Sequence, residues 1–284
     1  MSERVFIIGP GHVGRGLFRA FRASGVDVVG LHGKRPSGVN TSTGAIPADA
    51  ARANVVMLCV RDTQVDDAIA EVAAAAESGR IARGSVILHT SAIAEPAGAA
   101  KLTDAGYPAG TFHPLVPFSD PEISAELLRK AWIGIDGDIA ARNASRRLAG
   151  HLGARTLDIP PGKKAAYHAA AVISSNFPVV LASVAGHLLH DIGIPEASAY
   201  QAVESLMSGA LANMKRSLPD DALTGPVVRG ELETVGKHLR GLTGHDSALE
   251  VYRAMSAAAG EIAQRRGVDQ KKLAAISGLV RPTR

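Results

Sequence analysis

Cysteine is almost absent from this chain of 284 residues. The single one, Cys59, cannot form an internal disulfide, and no cluster of metal-ligand residues surrounds it. It lies in the apolar run Val55-Val-Met-Leu-Cys-Val60 and reads as a buried strand thiol rather than a nucleophile. Aromatic residues make up only 4% of the chain. Its 31 basic residues exceed the 27 acidic ones, but they are scattered, the densest groups being Lys34-Arg35, Lys163-Lys164, Arg265-Arg266 and Lys271-Lys272. A nucleic-acid surface needs a basic stripe interleaved with aromatics, so nucleic acid is not an expected partner. Long apolar runs are also lacking. The most apolar stretch, Ala169 to Leu189, is interrupted by Ser174, Ser175, Asn176, Pro178, Ser183 and His187. A membrane span of ~20 mostly apolar residues is therefore not expected. No signal peptide is expected before a first strand that begins at residue 4, which suggests a cytoplasmic protein.

That first strand carries the strongest positive signal. Arg4-Val-Phe-Ile-Ile8 runs into Gly9-Pro-Gly11-His-Val-Gly14, and a helical pattern follows with Val13, Leu17, Ala20 and Phe21 on one face. A strand, a G-x-G-x-x-G turn and a helix form the dinucleotide fingerprint. Gly9 permits the tight turn, Gly11 lets the backbone approach a pyrophosphate, and Gly14 lets helix and strand pack closely. Free N–H groups at the helix start then meet the phosphates.

Up to about residue 159, strand and helix signals alternate. Val26–Val29, Asn54–Val60, Ser85–His89, Trp132–Ile135 and Thr156–Ile159 read as strands. Asp62 or Thr63 reads as the N-cap of a helix running through Ala76, and Ile139–Leu152 as another helix. Such alternation predicts an α/β domain, residues 1–159, built on a Rossmann-type parallel sheet. After Ile159-Pro160-Pro161-Gly162 the pattern becomes long and alanine-rich, over roughly Lys163–Ile192, Pro195–Leu218, Leu232–Leu239, Ser247–Arg266 and Asp269–Leu279. Gly193 and Gly267 are expected to stop helices, Pro195 to begin one and Asp269 to cap one. An all-α domain over residues 160–284 is predicted.

An NAD site usually carries an acid at the end of the second strand, to bind the ribose hydroxyls. Here that place reads Gly30-Leu-His32-Gly33-Lys34-Arg35, with no carboxylate. A basic pair suits the 2′-phosphate of NADP. A solvated loop is the plain alternative for the pair, and His32 could also contact the phosphate or be an incidental loop histidine. The expected cofactor contacts are Gly9, Pro10, Gly11, His12, Val13, Gly14, Lys34, Arg35 and Val60.

Three groups could carry chemistry. His113, in Thr111-Phe-His-Pro-Leu-Val-Pro-Phe118 after the fifth strand region, could face the nicotinamide or be a hydrogen-bonded loop residue. Lys164 and His168 are four apart on one helix, with Ser175 seven further on and Asn176 beside it. A general acid and a donor to the substrate oxygen are what carbonyl reduction needs. The plain readings are a surface charge for Lys164 and a satisfied core residue for His168. Thr224-Gly-Pro226 before Arg229 could grip a substrate carboxylate, or form a structural turn with an outward arginine.

Together these residues resemble a family, the Rossmann-like proteins with a C-terminal helical domain of unknown function, DUF2520, relatives of the F420-dependent NADP oxidoreductase, pyrroline-5-carboxylate reductase and ketopantoate reductase superfamily. The resemblance rests on Gly9-Pro-Gly-His-Val-Gly14, His89-Thr-Ser91, His113-Pro-Leu with Phe118, Lys164-Ala-Ala-Tyr-His-Ala-Ala, Ser175-Asn176, Leu223-Thr-Gly-Pro226 and Arg229-Gly230. Ala92 stands where the family tends to have glycine, and Glu231 where it tends to have aspartate. The resemblance implies an NADP-dependent oxidoreductase, dimeric through its helical domain and acting on a small molecule. A ketopantoate-like 2-oxo acid is the leading substrate. Lys164, His168, Asn176 and His113 would be catalytic, and Ser91, Ser175, Thr224 and Arg229 would bind substrate. An imine reductase of the pyrroline-carboxylate kind and a non-catalytic NADP sensor are the alternatives.

NADPH is expected to bind at least about tenfold more tightly than NADH, a difference of ~1.4 kcal/mol. Changing Lys34 and Arg35 together to alanine should weaken NADPH far more than NADH in a calorimetric titration. Equal losses would refute the 2′-phosphate assignment.

Overall fold

The computed structural model describes residues 3–35, 41–95 and 98–281. They form two compact units, Met1–Val172 and Ile173–Arg284. In chain order the first unit contains β1 (Arg4–Ile8), α1 (His12–Ala23), β2 (Asp27–His32), β3 (Thr41–Ser42), β4 (Val55–Leu58), α2 (Val65–Glu77), β5 (Val86–His89), α3 (Ala99–Asp104), β6 (Ala109–Pro114), α4 (Pro121–Leu127), β7 (Trp132–Gly137), α5 (Ile139–His151), β8 (Arg155–Asp158) and the first turns of α6 (Lys164–Asp191).

The strands make one sheet in the order β3-β2-β1-β4-β5-β6-β7-β8. The chain leaves β1 in one direction and returns to β4 on its other side, so the switch point lies between β1 and β4. In open α/β sheets ligands bind outside the carboxyl ends of the strands at that point.

Both faces of the sheet are covered, which is why its central strands read as unbroken apolar runs. Alternate residues enter opposite layers. Ile7, Met57, Leu88 and Phe112 pack with Leu17 and Phe21 of α1 and with Ala144 and Leu148 of α5. Phe6, Ile8, Val56, Leu58 and Ile87 pack with Ile69 and Val72 of α2.

Three expectations need correction. The segment Thr111–Phe118 does not simply follow a strand, because Ala109–Pro114 is itself β6, and His113 is a strand residue. The sheet is parallel except at β6 and β7, which pair antiparallel. The link between them carries the short α4, which packs on α1, and it folds back instead of crossing over. Neither Asp62 nor Thr63 caps α2. A single tight turn, Asp62–Gln64, comes first, and α2 starts at Val65 behind Gln64 without a side-chain cap. The turn's own bond, from Gln64 N–H to the Arg61 carbonyl at 2.8 Å, takes up one amide that a cap would have met.

The second unit holds the rest of α6, then α7 (Glu196–Met214), α8 (Pro219–Ala222), α9 (Leu232–Gly241), α10 (Asp246–Arg265) and α11 (Gln270–Val280). The one-turn α8 has no counterpart in the sequence reading. Gly193 and Gly267 follow α6 and α10 with φ of 98° and 79°, a conformation that favours glycine. The Asp269 carboxylate accepts the Lys272 N–H at 3.0 Å and caps α11 as expected. Pro195 stands one residue before the first of α7, at the cap. Val227, Val235, Ile276 and Val280 form a small core.

The glycine turn separates two kinds of position. A Cβ on Gly14 would collide with the Gly9 carbonyl oxygen, a backbone atom that cannot step aside, whereas one on Gly11 meets nothing within 4 Å. Gly14→Ala should therefore lower the stability of the first unit by about 2 kcal/mol or more in urea unfolding. Gly11→Val should leave the urea midpoint nearly unchanged and abolish nucleotide binding, because its side chain fills the space left for a pyrophosphate.

Candidate active site

Gly9 has φ of 107°, and a Cβ there would strike the Cys59 carbonyl. The turn is pinned on both sides, with Gly9 N–H donating to the His32 carbonyl at 2.8 Å and Cys59 N–H donating to the Ile8 carbonyl at 2.7 Å. No side chain caps the start of α1, which leaves its first N–H groups to a ligand. The cavity beside the turn has a volume of about 250 Å³ and is lined by Gly9, Pro10, Gly11, Gly33, Lys34, Val60 and Arg61, with Asp67 and Glu71 from α2.

The expected cofactor residues thus divide. Lys34 and Val60 line the cavity, while Arg35 is exposed and is not among the lining residues. His12 is exposed and bonded through Nδ1 to the Phe118 carbonyl at 3.0 Å. Val13 packs against the core. Gly14 is the helix-packing glycine. Arg61 also lines the cavity, a cation the sequence pattern does not single out because it follows β4 and not β2. His32 is not an incidental loop residue. It ends β2 and is buried, with Nδ1 on the Ser42 hydroxyl at 2.9 Å and Nε2 3.8 Å from Glu71. Cys59 is buried as expected, and burial pushes its thiol up to about 12, against a partial opposing effect of the Thr90 hydroxyl.

A second polar group crosses the sheet on the α2 side. His89, Thr111 and Asp136 are register partners on β5, β6 and β7. Over them sits Lys164, the first residue of α6. It is buried, not the surface charge of the plain reading. Its ammonium donates to the Ala94 carbonyl at 2.8 Å and to Thr111 Oγ1 at 2.9 Å, and it pairs with Asp136 Oδ2 at 3.0 Å. An ammonium has three donors, and all three are engaged. Asp136 was missed too. Its signal was an acid closing the apolar strand Trp132-Ile-Gly-Ile.

Two residues beyond Thr111 on the same strand face is His113. Its Nδ1 lies 2.8 Å from the Tyr167 hydroxyl, and its ring stands edge-on to that of His168 at 6.2 Å. Tyr167 comes this close because β7 has glycine beneath it, where a Cβ on Gly134 would overlap the phenol oxygen. His168 is not the satisfied core residue of the plain reading. Its Nδ1 is buried without a hydrogen bond. Burial, then the neighbouring His168, push the His113 imidazole down to about 4, and burial pushes the Tyr167 phenol well above its ordinary value. Burial, followed by Lys164, also brings His89 down to about 4.

Ser91 is buried, and its Oγ accepts the Ala94 N–H at 2.9 Å within a local turn. In the second unit Ser175, Asn176 and Thr224 are exposed. Arg229 is exposed and held by Glu231, with Nε donating to Oε1 at 2.5 Å and Nη2 to Oε2 at 3.3 Å.

The family described as a domain of unknown function, DUF2520, matches residues 131–281. No curated protein matches the chain in sequence. Among solved structures, a candidate NADP oxidoreductase of Bacteroides fragilis shares the fold at TM-score 0.70 and 19% identity, over 92% of this chain and 98% of that one. An imine reductase of Streptomyces aurantiacus matches at TM-score 0.61 and 16% identity, over 99% of this chain and 100% of that one. The pyrroline carboxylate reductase of Plasmodium falciparum, solved with NADP bound, matches at 0.58 and 10%, over 92% and 98%. At these identities the likeness is one of fold.

His89 and His113 give the first unit a pH signature. Their folded pKa values, about 4, lie below the ordinary 6.5. Below pH 6.5 the unfolded chain binds protons that the native state does not. The stabilisation is complete above about pH 6.5 and is lost as pH falls towards 4. Unfolding free energy should drop across that window, by roughly 2–3 kcal/mol through His89 alone. His89→Asn should flatten the drop measured in urea at stepped pH, and an unchanged slope would contradict the assignment.

Proposed function

The chain belongs to the DUF2520 family, and from that premise we propose that it is an NADP-dependent reductase that transfers hydride to a small C=N or C=O substrate. One observation carries the reading. The glycine turn after β1 and the His113–Tyr167–His168 group at the end of β6 lie on the same carboxyl edge of the sheet, since β1, β2, β4, β5 and β6 are all parallel. From β2 to β6 are four strand spacings, about 19 Å, room for an extended dinucleotide. The adenosine end would lie by Lys34 and Arg61, with NADP favoured over NAD by those cations and by the missing acid at the end of β2. The nicotinamide end would lie towards His113. A sensor with an apolar cleft is less well supported, given so polar a group there.

NADPH supplies the hydride. The chain's part is to orient the acceptor and handle one proton. His113, neutral near pH 7, and the Tyr167 hydroxyl share a hydrogen bond and would hold the reacting nitrogen or oxygen. With the donors of Lys164 engaged, its role becomes positioning: it fixes the start of α6, and with it Tyr167 and His168 one turn on. Loss of one partner from such a buried pair costs about 3–5 kcal/mol. Lys164 and Arg229 are not free to grip a substrate carboxylate, because Lys164 pairs with Asp136 and Arg229 with Glu231. These neutral groups favour a substrate that already carries its proton, a cyclic imine in its iminium form. The second reading, reduction of a ketopantoate-like 2-oxo acid, needs Tyr167 to protonate the alkoxide and a cation to bind the carboxylate. A catalytic role for Asn176, and substrate-binding roles for Ser91, Ser175, Thr224 and Arg229, rest on the family's pattern.

The active form would be a homodimer. α6 is long and apolar enough to cross a membrane by length and composition, yet only 6% of its most apolar window is buried. Ile173, Phe177 and Val180 are at least half exposed along one face of it. A second copy of the chain covering this face is consistent with the serines and asparagine that interrupt it.

NADPH oxidation screened over cyclic imines and 2-oxo acids tests the reading. Turnover of imines, with kcat reduced about 100-fold in His113→Asn or Tyr167→Phe and NADPH affinity kept, is the expected result. Turnover of 2-oxo acids alone would select the second reading. Full activity in both variants would move the chemistry elsewhere.

A further inference from the structure

A second cavity of about 440 Å³ opens in the first unit and shares no lining residue with the one at the glycine turn. Its wall includes His89, Asp136, Lys164 and Arg142, with Glu95 and the Ile159–Gly162 stretch. One charged group in this wall stands unpaired. Arg142, in the first turn of α5, is partly buried and has neither an ion pair nor a side-chain hydrogen bond among the described residues. His89 is buried, and its Nδ1 makes no hydrogen bond of normal geometry, although the Ser91 backbone lies close enough to act on the ring.

Lys164 can only donate, so Thr111 Oγ1 accepts from it at 2.9 Å. His89 Nε2 lies 3.2 Å from the same oxygen. The cation of the wall left without a partner is Arg142, whose guanidinium fork calls for acceptor oxygens. Neither acid of the wall holds it among the described residues, since Asp136 is paired with Lys164 and Glu95 makes no ion pair with Arg142.

We propose that this cavity is a binding site for a small oxyanion ligand, a carboxylate or a phosphate, held chiefly by Arg142 and separate from the nucleotide site. Guanidinium is the side chain best matched to the paired oxygens of either group.

The test uses the full-length protein with inorganic phosphate and malonate as separate probes. The readouts are the His89 ring nitrogens and the Arg142 Nε–H in NMR titrations. Saturable shifts with at least one probe are expected. Affinity should fall at least tenfold in both Arg142→Ala and Arg142→Gln and be unaltered in Gly11→Val. Phosphate alone, malonate alone or both producing the shifts identifies the class of ligand. Shifts that persist in both Arg142 variants, or no saturable response to either probe, would overturn the proposal. A response lost in Gly11→Val would do the same, by assigning the anion to the nucleotide turn. Because Arg142 has no side-chain partner among the described residues, its variants should keep the wild-type urea midpoint.

Discussion

The buried ammonium of Lys164 holds the candidate site in shape. It joins three pieces of chain that are distant in sequence: the loop after β5 through the Ala94 carbonyl, β6 through Thr111, and β7 through Asp136. A charge so placed is costly unless fully paired, and here every donor finds a partner. The consequence is geometric. With the first residue of α6 fixed, its first turn brings Tyr167 over Gly134, and the phenol hydroxyl meets His113.

Around that point the sheet separates two kinds of surface. On the side of α1 and α5, β5 to β7 present Leu88, Phe112, Ile133 and Ile135, an ordinary core. On the other side the same strands present His89, Thr111, His113 and Asp136. Strand alternation alone sends one set each way. Burial keeps the two histidines neutral near pH 7, which suits them to hydrogen bonding rather than to carrying charge. The chemistry proposed for the site follows from that neutrality.

The nucleotide turn and the polar row also differ in how they tolerate change. At the turn, Gly9 and Gly14 are dictated by backbone atoms of the protein itself, whereas Gly11 faces open space. One motif thus mixes positions that fold the chain with one left for a ligand. In the polar row nearly every atom is satisfied internally, and the exceptions, Nδ1 of His89 and Nδ1 of His168, stand out for that reason.

Sequence alone determined the strand–turn–helix start, the doubly covered sheet and the change to long helices after residue 159. These follow from local rules: glycine spacing, apolar periodicity, and the capping chemistry of Asp269, Gly193 and Gly267. Sequence alone could not show that Ala109–Pro114 is a strand, since a glycine, a histidine and a proline disguise it and its antiparallel pairing with β7 depends on a distant segment. Nor could it show that Lys164 is buried, that Arg61 rather than Arg35 lines the cavity, or that Arg229 is held by Glu231. Each of these depends on which side chain meets which carbonyl or carboxylate across 28 to 70 residues, or on the direction in which a flexible cation turns. Only tertiary packing decides those pairings, because a charge or a hydroxyl has no preferred partner until burial removes water from the competition.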